Sequence, residues 1–257
     1  KMENPTGQQL ILKLDGIING LGDGTRKRVH EEMLDVDECL YSLLSPCLME
    51  HKSNVSAFIM GPRGSGKSRL VESCLSRMDG SMFYTLRLNG LVIRGNDVGF
   101  AVNELLRQLS EIAFNDEDKK SDFNLLRLKR TTFTSNLALL DEIFRLAKIH
   151  KRPILIILDE MDAFSGSTAY LDVTTSMIER ASDRQLLLYH ILDRVSMPGS
   201  SLCFIGITSH LGAISLLEKR VRSRAEGNSK IIFVNAFDSY ETLVALLMKK
   251  LESYEEL

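Results

Sequence analysis

The stretch "FIMGPRGSGKSRL" (Phe58–Leu70) runs from an apolar segment through a glycine-rich turn into residues that favour a helix. Within it Gly61, Gly66, Lys67 and Ser68 fit the spacing G-x-x-x-x-G-K-[ST] of a phosphate-binding loop. Glycines let the backbone curl so that successive N–H groups point inward, and the start of the next helix adds favourable potential for phosphate oxygens. Lys67 is placed to reach the β- and γ-phosphates of a nucleotide, and the Ser68 hydroxyl to ligate Mg²⁺. Gly61, Pro62, Arg63, Gly64, Ser65, Gly66, Lys67, Ser68 and Arg69 are therefore the candidate ATP contacts. A glycine-rich turn with an exposed lysine is the plainer alternative; a strand before and a helix after are what separate the two.

Further along, "PILIILDEMDAF" (Pro153–Phe164) carries five apolar residues into Asp159 and Glu160. Carboxylates at the carboxyl end of a buried parallel strand stand where such sheets place ligand chemistry. Asp159 is the Mg²⁺-side partner of Ser68, and Glu160 is placed to polarise a water for attack on a γ-phosphate. Asp159 could instead cap a helix, and Glu160 and Asp162 could be surface acids.

A third apolar run, "LCFIGIT", ends in Thr208 and Ser209 and is followed by "HLGAISLLEKRVRSR", read as a helix that finishes in Arg220, Arg222 and Arg224. The polar strand end could sit between the acidic pair and the γ-phosphate, or could cap the next helix. The arginines either form a solvated helix end, favourable with its dipole, or offer a guanidinium to a neighbouring subunit's γ-phosphate.

The 257 residues suffice to bury roughly 70–75% of the unfolded surface. With 44% hydrophobic and 26% charged residues and a net charge of -2, the chain has an ordinary globular composition and no global attraction to polyanions. Cys39, Cys47, Cys74 and Cys203 lack CxxC spacing and make no metal pattern with the histidines, so buried, reduced thiols are expected. No apolar run reaches the ~18 residues of a membrane span and no signal peptide is evident, which points to a soluble intracellular chain without a membrane partner.

Along the chain, "DGIINGLGDGTRKRVHEE" (Asp15–Glu32) reads as a loop, and "MLDVDECLYSLLSPCLM" as a helix interrupted at Pro46. Strand-like "VSAFIMG", "MFYTLRLN", "ILIIL", "LCFIGIT" and "KIIFV" then alternate with helix-like "KSRLVESCLSRM", "NDVGFAVNELLRQLSEI", "TSNLALLDEIFRLAKIH" and "RQLLLYHILDRV". Continuous apolar strands separated by helices predict an α/β fold with a parallel sheet covered on both faces. The amphipathic end "LVALLMKKLESYEEL" suggests a piece of something longer.

"IMGPRGSGKS", "LRLNGLVIRGNDVGFAVNELLRQL", "LIILDEMDAF", "LLLYHILD" and "FIGITSHLGAISLLEKRVRSRAEGNSKIIF" together resemble the AAA+ ATPases, and within them the initiator clade of origin recognition complex and Cdc6-type loaders. The resemblance covers roughly residues 32–253, with "LNGL" and "LLEKRVRSR" its most selective parts. It implies a P-loop NTPase AAA+ core with a five-stranded parallel sheet flanked by helices. The division it suggests is an N-terminal segment over 1–31, an ATP-binding core over 32–236, and over 237–257 the start of a truncated helical lid, with a DNA-clasping winged helix beyond.

By motif, Ser209 falls where the clade often has a sensor asparagine, Arg224 falls on the arginine finger and Arg220 on a supporting arginine, while Ala225 replaces a common aromatic. The implied ligands are ATP and Mg²⁺. The implied partners are double-stranded DNA and the other origin recognition complex subunits, above all the largest through Arg224, in the nucleus. Arg94, after the second strand, and Arg127, Lys129 and Arg130 are weaker candidates for DNA contact. A free-standing P-loop ATPase and a scaffold with a vestigial site are the rival readings. Intrinsic hydrolysis is expected to be weak or absent.

Overall fold

A computed structural model describes residues 23–93, 98–115, 133–164, 185–198 and 201–235. Strands β1 (Val55–Met60), β2 (Tyr84–Asn89), β3 (Ile154–Asp159), β4 (Leu202–Thr208) and β5 (Ser229–Phe233) make one sheet in the order β2-β3-β4-β1-β5, with every pairing parallel. Alternation along the strands distributes the apolar side chains to two cores. Ile154, Ile156 and Leu158 join Phe58 and Met60 on one face, packed with α3 (Val98–Asn115), α4 (Phe133–Ile149), α5 (Leu186–Ser196) and α6 (Lys219–Asn228). Leu155 and Ile157 join Ile59 on the other, under α1 (Asp23–Leu48) and α2 (Lys67–Ser76). Helices cover both faces of the central strands, which is why β1, β3 and β4 read as mostly apolar runs.

The strand order fixes where chemistry can occur. β4 pairs with β1 on one side and β3 on the other, so its carboxyl end lies between the turn that follows β1 and the acids that end β3. Among the described residues the outer edge of β2 meets a side chain rather than another strand. The Arg87 N–H donates to Gln108 Oε1 at 2.8 Å, and Gln108 Nε2 donates to the Arg87 carbonyl at 2.7 Å.

Two expectations change. Residues 23–32, expected as loop, are helical, because α1 begins at Asp23 and runs through Pro46 in its last turn. Leu40, Leu44 and Leu48 are fully buried, and that anchorage lets the helix propagate upstream past the lone Gly24. The segment expected to be one helix ending in the arginines is instead a short 3-10 turn (Ile214–Leu216), an extended Leu217 and Glu218, and then α6. The Glu218 N–H is drawn to Gln185 Oε1 at 2.7 Å, a long-range bond that holds the chain extended there. Arg220, Arg222 and Arg224 therefore open a helix rather than close one.

The expected flexible start over 1–22, the lid segment 237–257, Arg94, Arg127, Lys129 and Arg130 lie outside the described residues. Cys47, Cys74 and Cys203 are buried free thiols and Cys39 is partly exposed. Among the described residues no helix is long and apolar enough to cross a membrane.

Candidate functional site

The turn between β1 and α2 has the geometry its glycines allow. Gly64 and Gly66 adopt φ of 80° and 90°, a left-handed backbone that residues with a Cβ rarely take, and a Cβ at either would meet no atom within 4 Å. Gly66 is the N-cap of α2, so the helix starts at Lys67. Lys67 is buried, with Nζ donating to the Gly61 carbonyl at 2.7 Å and the Pro62 carbonyl at 2.8 Å. Burial lowers its pKa from the ordinary lysine value, opposed by the charges of Glu160, Asp159 and Asp162 and assisted by Arg63. Ser65 is also buried, whereas Pro62, Arg63 and Arg69 face solvent.

Across the end of β4, the Ser68 hydroxyl donates to Asp159 Oδ2 at 2.9 Å. The other carboxylate oxygen accepts the Glu160 N–H at 2.9 Å. Glu160 itself has φ 49°, a conformation that costs a non-glycine residue roughly 1–2 kcal/mol and that clusters at functional sites. Its Oε2 is buried and has no hydrogen-bond partner among the described residues. Next to it, Gly90 brings the end of β2 against β3. A Cβ there would stand 2.3 Å from the Glu160 carbonyl oxygen, and the Gly90 N–H donates to the Asp159 carbonyl at 2.8 Å. Ser68, Val71, Arg87, Asn89, Asp159 and Ile207 line a cleft between α2 and the β2–β3 edge.

The strand-end polar residue in contact with the acids is Thr208. Its buried hydroxyl donates to Asp162 Oδ1 and accepts the His210 N–H at 3.0 Å, and Ser209 follows it, half-buried. Asp162 is buried rather than a surface acid.

The arginines are separate from this cluster. Arg224 Nε donates to Asp193 Oδ1 at 2.9 Å, its Nη2 donates to the Tyr189 hydroxyl at 3.0 Å, and its guanidinium lies 4.3 Å from the Tyr189 ring centroid. Arg220 also stands over that ring, at 5.2 Å, and pairs with Glu218 at 3.0 Å. Sequence reasoning placed Arg224 by motif and named Arg220 beside it, without finding its contacts on α5. The signal it passed over is the i,i+4 spacing of Tyr189 and Asp193 in "YHILD", which puts both on one face of α5.

The AAA ATPase domain family model matches residues 39–205, from within α1 to the middle of β4. The chain belongs to this AAA ATPase family. The origin recognition complex subunit 4 of Dictyostelium discoideum is 28% identical over 221 residues, which cover 85% of this chain and 46% of that protein. The chain thus spans less than half the length of that relative. Among solved structures, the AAA ATPase fold here is similar to the Aeropyrum pernix ORC2 protein in its ADPNP-ADP complexes (TM-score 0.53, 15% identity, 86% of this chain and 51% of that one). It is also similar to a chain of the Drosophila ORC bound to DNA (TM-score 0.51, 15% identity, 97% of this chain and 59% of that one). At these identities the structural likeness speaks for the fold, which is the five-stranded parallel AAA+ core expected from the sequence.

Proposed function

We propose that this AAA+ module binds Mg·ATP at Gly61–Arg69 and serves in replication initiation as a subunit of an origin recognition complex, holding nucleotide rather than turning it over unaided. The observation that carries the nucleotide reading is the Ser68–Asp159 pair at 2.9 Å beside a phosphate loop whose lysine is buried. A hydroxyl and a carboxylate form the hard oxygen donor set that suits Mg²⁺, so Ser68 and Asp159 would hold it. Bound Mg²⁺ supplies charge neutralisation at the β- and γ-phosphate oxygens.

The chain's own groups do the rest. The backbone N–H groups of Gly64–Ser68 orient the phosphates, and Lys67 exchanges its two carbonyl acceptors for phosphate oxygens. The unpartnered Glu160 Oε2 can accept a hydrogen bond from an attacking water. Weak unaided turnover follows from Ser209, which is shorter than the asparagine the clade often places there, and from the need for a guanidinium supplied by a neighbour.

Support for the assembly reading comes from relatives named as origin recognition complex subunit 4. Arg224, supported by Arg220, is the group this subunit would offer to a neighbour's γ-phosphate, the neighbour being the largest subunit. Double-stranded DNA and a nuclear location follow from the same reading. Equilibrium binding of Mg·ATP and steady-state turnover, measured on the chain alone and with its neighbour, test it. Lys67→Ala should weaken ATP binding roughly ten- to a hundred-fold, since a charge-assisted contact is lost. Unchanged affinity would refute the assignment, and steady turnover by the isolated chain that Glu160→Gln abolishes would refute the holding role.

A further inference from the structure

We infer that α1 is a latch on the phosphate-binding helix: the seating of Asp37, Glu38 and Tyr41 on Arg77 controls how firmly α2 presents Gly66–Ser68, and so couples nucleotide affinity to the docking of the N-terminal helix. This rests on the nucleotide reading above and adds a means of regulating that site.

α2 is ten residues long, about 15 Å from end to end. Its first residues are the candidate phosphate and Mg²⁺ contacts, and its C-cap is Arg77, whose N–H bonds the Cys74 and Leu75 carbonyls. The Arg77 guanidinium is divided between two carboxylates of α1, with Nη1 donating to Asp37 Oδ2 at 2.6 Å and Nη2 to Glu38 Oε2 at 2.8 Å. It also lies 4.4 Å from the centroid of the Tyr41 ring. Asp37 and Tyr41 are four residues apart, on one face of α1. Between this contact and the phosphate loop, Val71 and Cys74 of α2 pack in the same apolar cluster as Leu40, Leu44 and Leu48 of α1.

A short, stiff helix thus touches the candidate nucleotide site at one end and the N-terminal helix at the other. The contact is partly solvated, since the Arg77 and Glu38 side chains are 40% and 64% exposed while Asp37 is 15% exposed. Partly solvated pairs of this kind are weak and salt-sensitive, which suits a latch that opens more than a core contact that cannot.

The test uses the full chain with Arg77→Met, which keeps the apolar stem and removes the charge, and the milder Glu38→Gln. Amide hydrogen exchange of residues 37–48 and 66–70 is followed without nucleotide, and Mg·ATP affinity is measured in parallel. The inference expects faster exchange in both segments and affinity lowered about three- to tenfold for Arg77→Met, with smaller changes in the same direction for Glu38→Gln. Faster exchange confined to residues 37–48, with 66–70 and ATP affinity unchanged, would overturn the coupling. Unchanged exchange in 37–48 would overturn the latch itself. A wild-type chain that bound no Mg·ATP would overturn the nucleotide reading, and that failure is distinguishable because exchange at 66–70 is read without nucleotide.

Discussion

Replacing Gly90 with alanine places a methyl group where the structure has no room for one. The new Cβ would lie 2.3 Å from the Glu160 carbonyl oxygen and 2.7 Å from Ala163 Cβ. Neither neighbour is the loose end of a long side chain, so relief requires moving the end of β2 or the turn at Glu160–Ala163. The first movement stretches the Gly90–Asp159 backbone bond of 2.8 Å, and the second the Ala163–Glu160 bond of 3.2 Å. Overpacking costs about 1–3 kcal/mol, and a weakened backbone hydrogen bond adds about 1 kcal/mol. Since about 1 kcal/mol shifts Tm by roughly 2–4 °C in a domain of this size, Gly90→Ala should melt roughly 4–16 °C below wild type. The control is Gly80→Ala, whose Cβ would meet nothing within 4 Å and which should stay within about 0.5 kcal/mol of wild type. Thermal unfolding by circular dichroism, without nucleotide, reads both variants. Equal midpoints for the two would refute the argument that this glycine is required by close approach.

Other outcomes follow from contacts already described. Leu44→Ala, at a fully buried position under the sheet, should cost about 2–5 kcal/mol in denaturant titration, a loss that a solvent-facing leucine would not show. Arg224→Ala should leave this chain's own ATP affinity unchanged and lower turnover at the neighbour's site, in the direction of the roughly 10³–10⁵ that arginine fingers contribute elsewhere. An unaffected neighbour would refute the trans role. Asp193→Ala should reproduce part of that loss by removing the acceptor of Arg224 Nε, and full neighbour activity in this variant would show that the pairing does not position the arginine. Burial holds the His190 pKa below its ordinary 6.5, with Arg194 pushing the same way and the Asp141 carboxylate, 2.9 Å from Nε2, opposing them. As pH falls below about 6.5, the unfolded chain takes up a proton that the folded imidazole resists. Unfolding free energy should therefore decline by at most about 1.4 kcal/mol per pH unit until the folded group titrates. Denaturant titrations between pH 7.5 and 5 should show a flatter profile for His190→Gln, and identical profiles would count against the assignment.

What the sequence disclosed follows the range of the forces involved. β1, β3 and β4 were readable because each is a short, mostly apolar run, and the β1–α2 turn because glycine spacing and strand–helix context are local. The start of α1 was hidden. Gly22 and Gly24 read as breakers, and the packing of Leu40, Leu44 and Leu48 that sustains the helix depends on a sheet assembled from distant residues. The helix break before Lys219 was hidden for a similar reason, since the Gln185 side chain that bonds Glu218 comes from the segment before α5. At the site, the residues that two separate motifs marked, Ser68 and Asp159, share a direct hydrogen bond. The bond from Thr208, one position before Ser209, could not be read because the Asp162 carboxylate that accepts it presented itself as one more surface acid.

The Gln108 side chain bonded to the outer edge of β2 has a consequence for how the sheet meets other chains. An unpaired strand edge is a template for any extended peptide. By offering one amide donor and one acceptor to Arg87, Gln108 imitates the hydrogen bonds of a neighbouring strand over one residue and occupies the groups a foreign strand would use there. Glu104, whose Oε1 accepts from Gln108 Nε2 at 2.8 Å, keeps the amide in that orientation. A foreign strand would have to displace this amide before it could pair at Arg87.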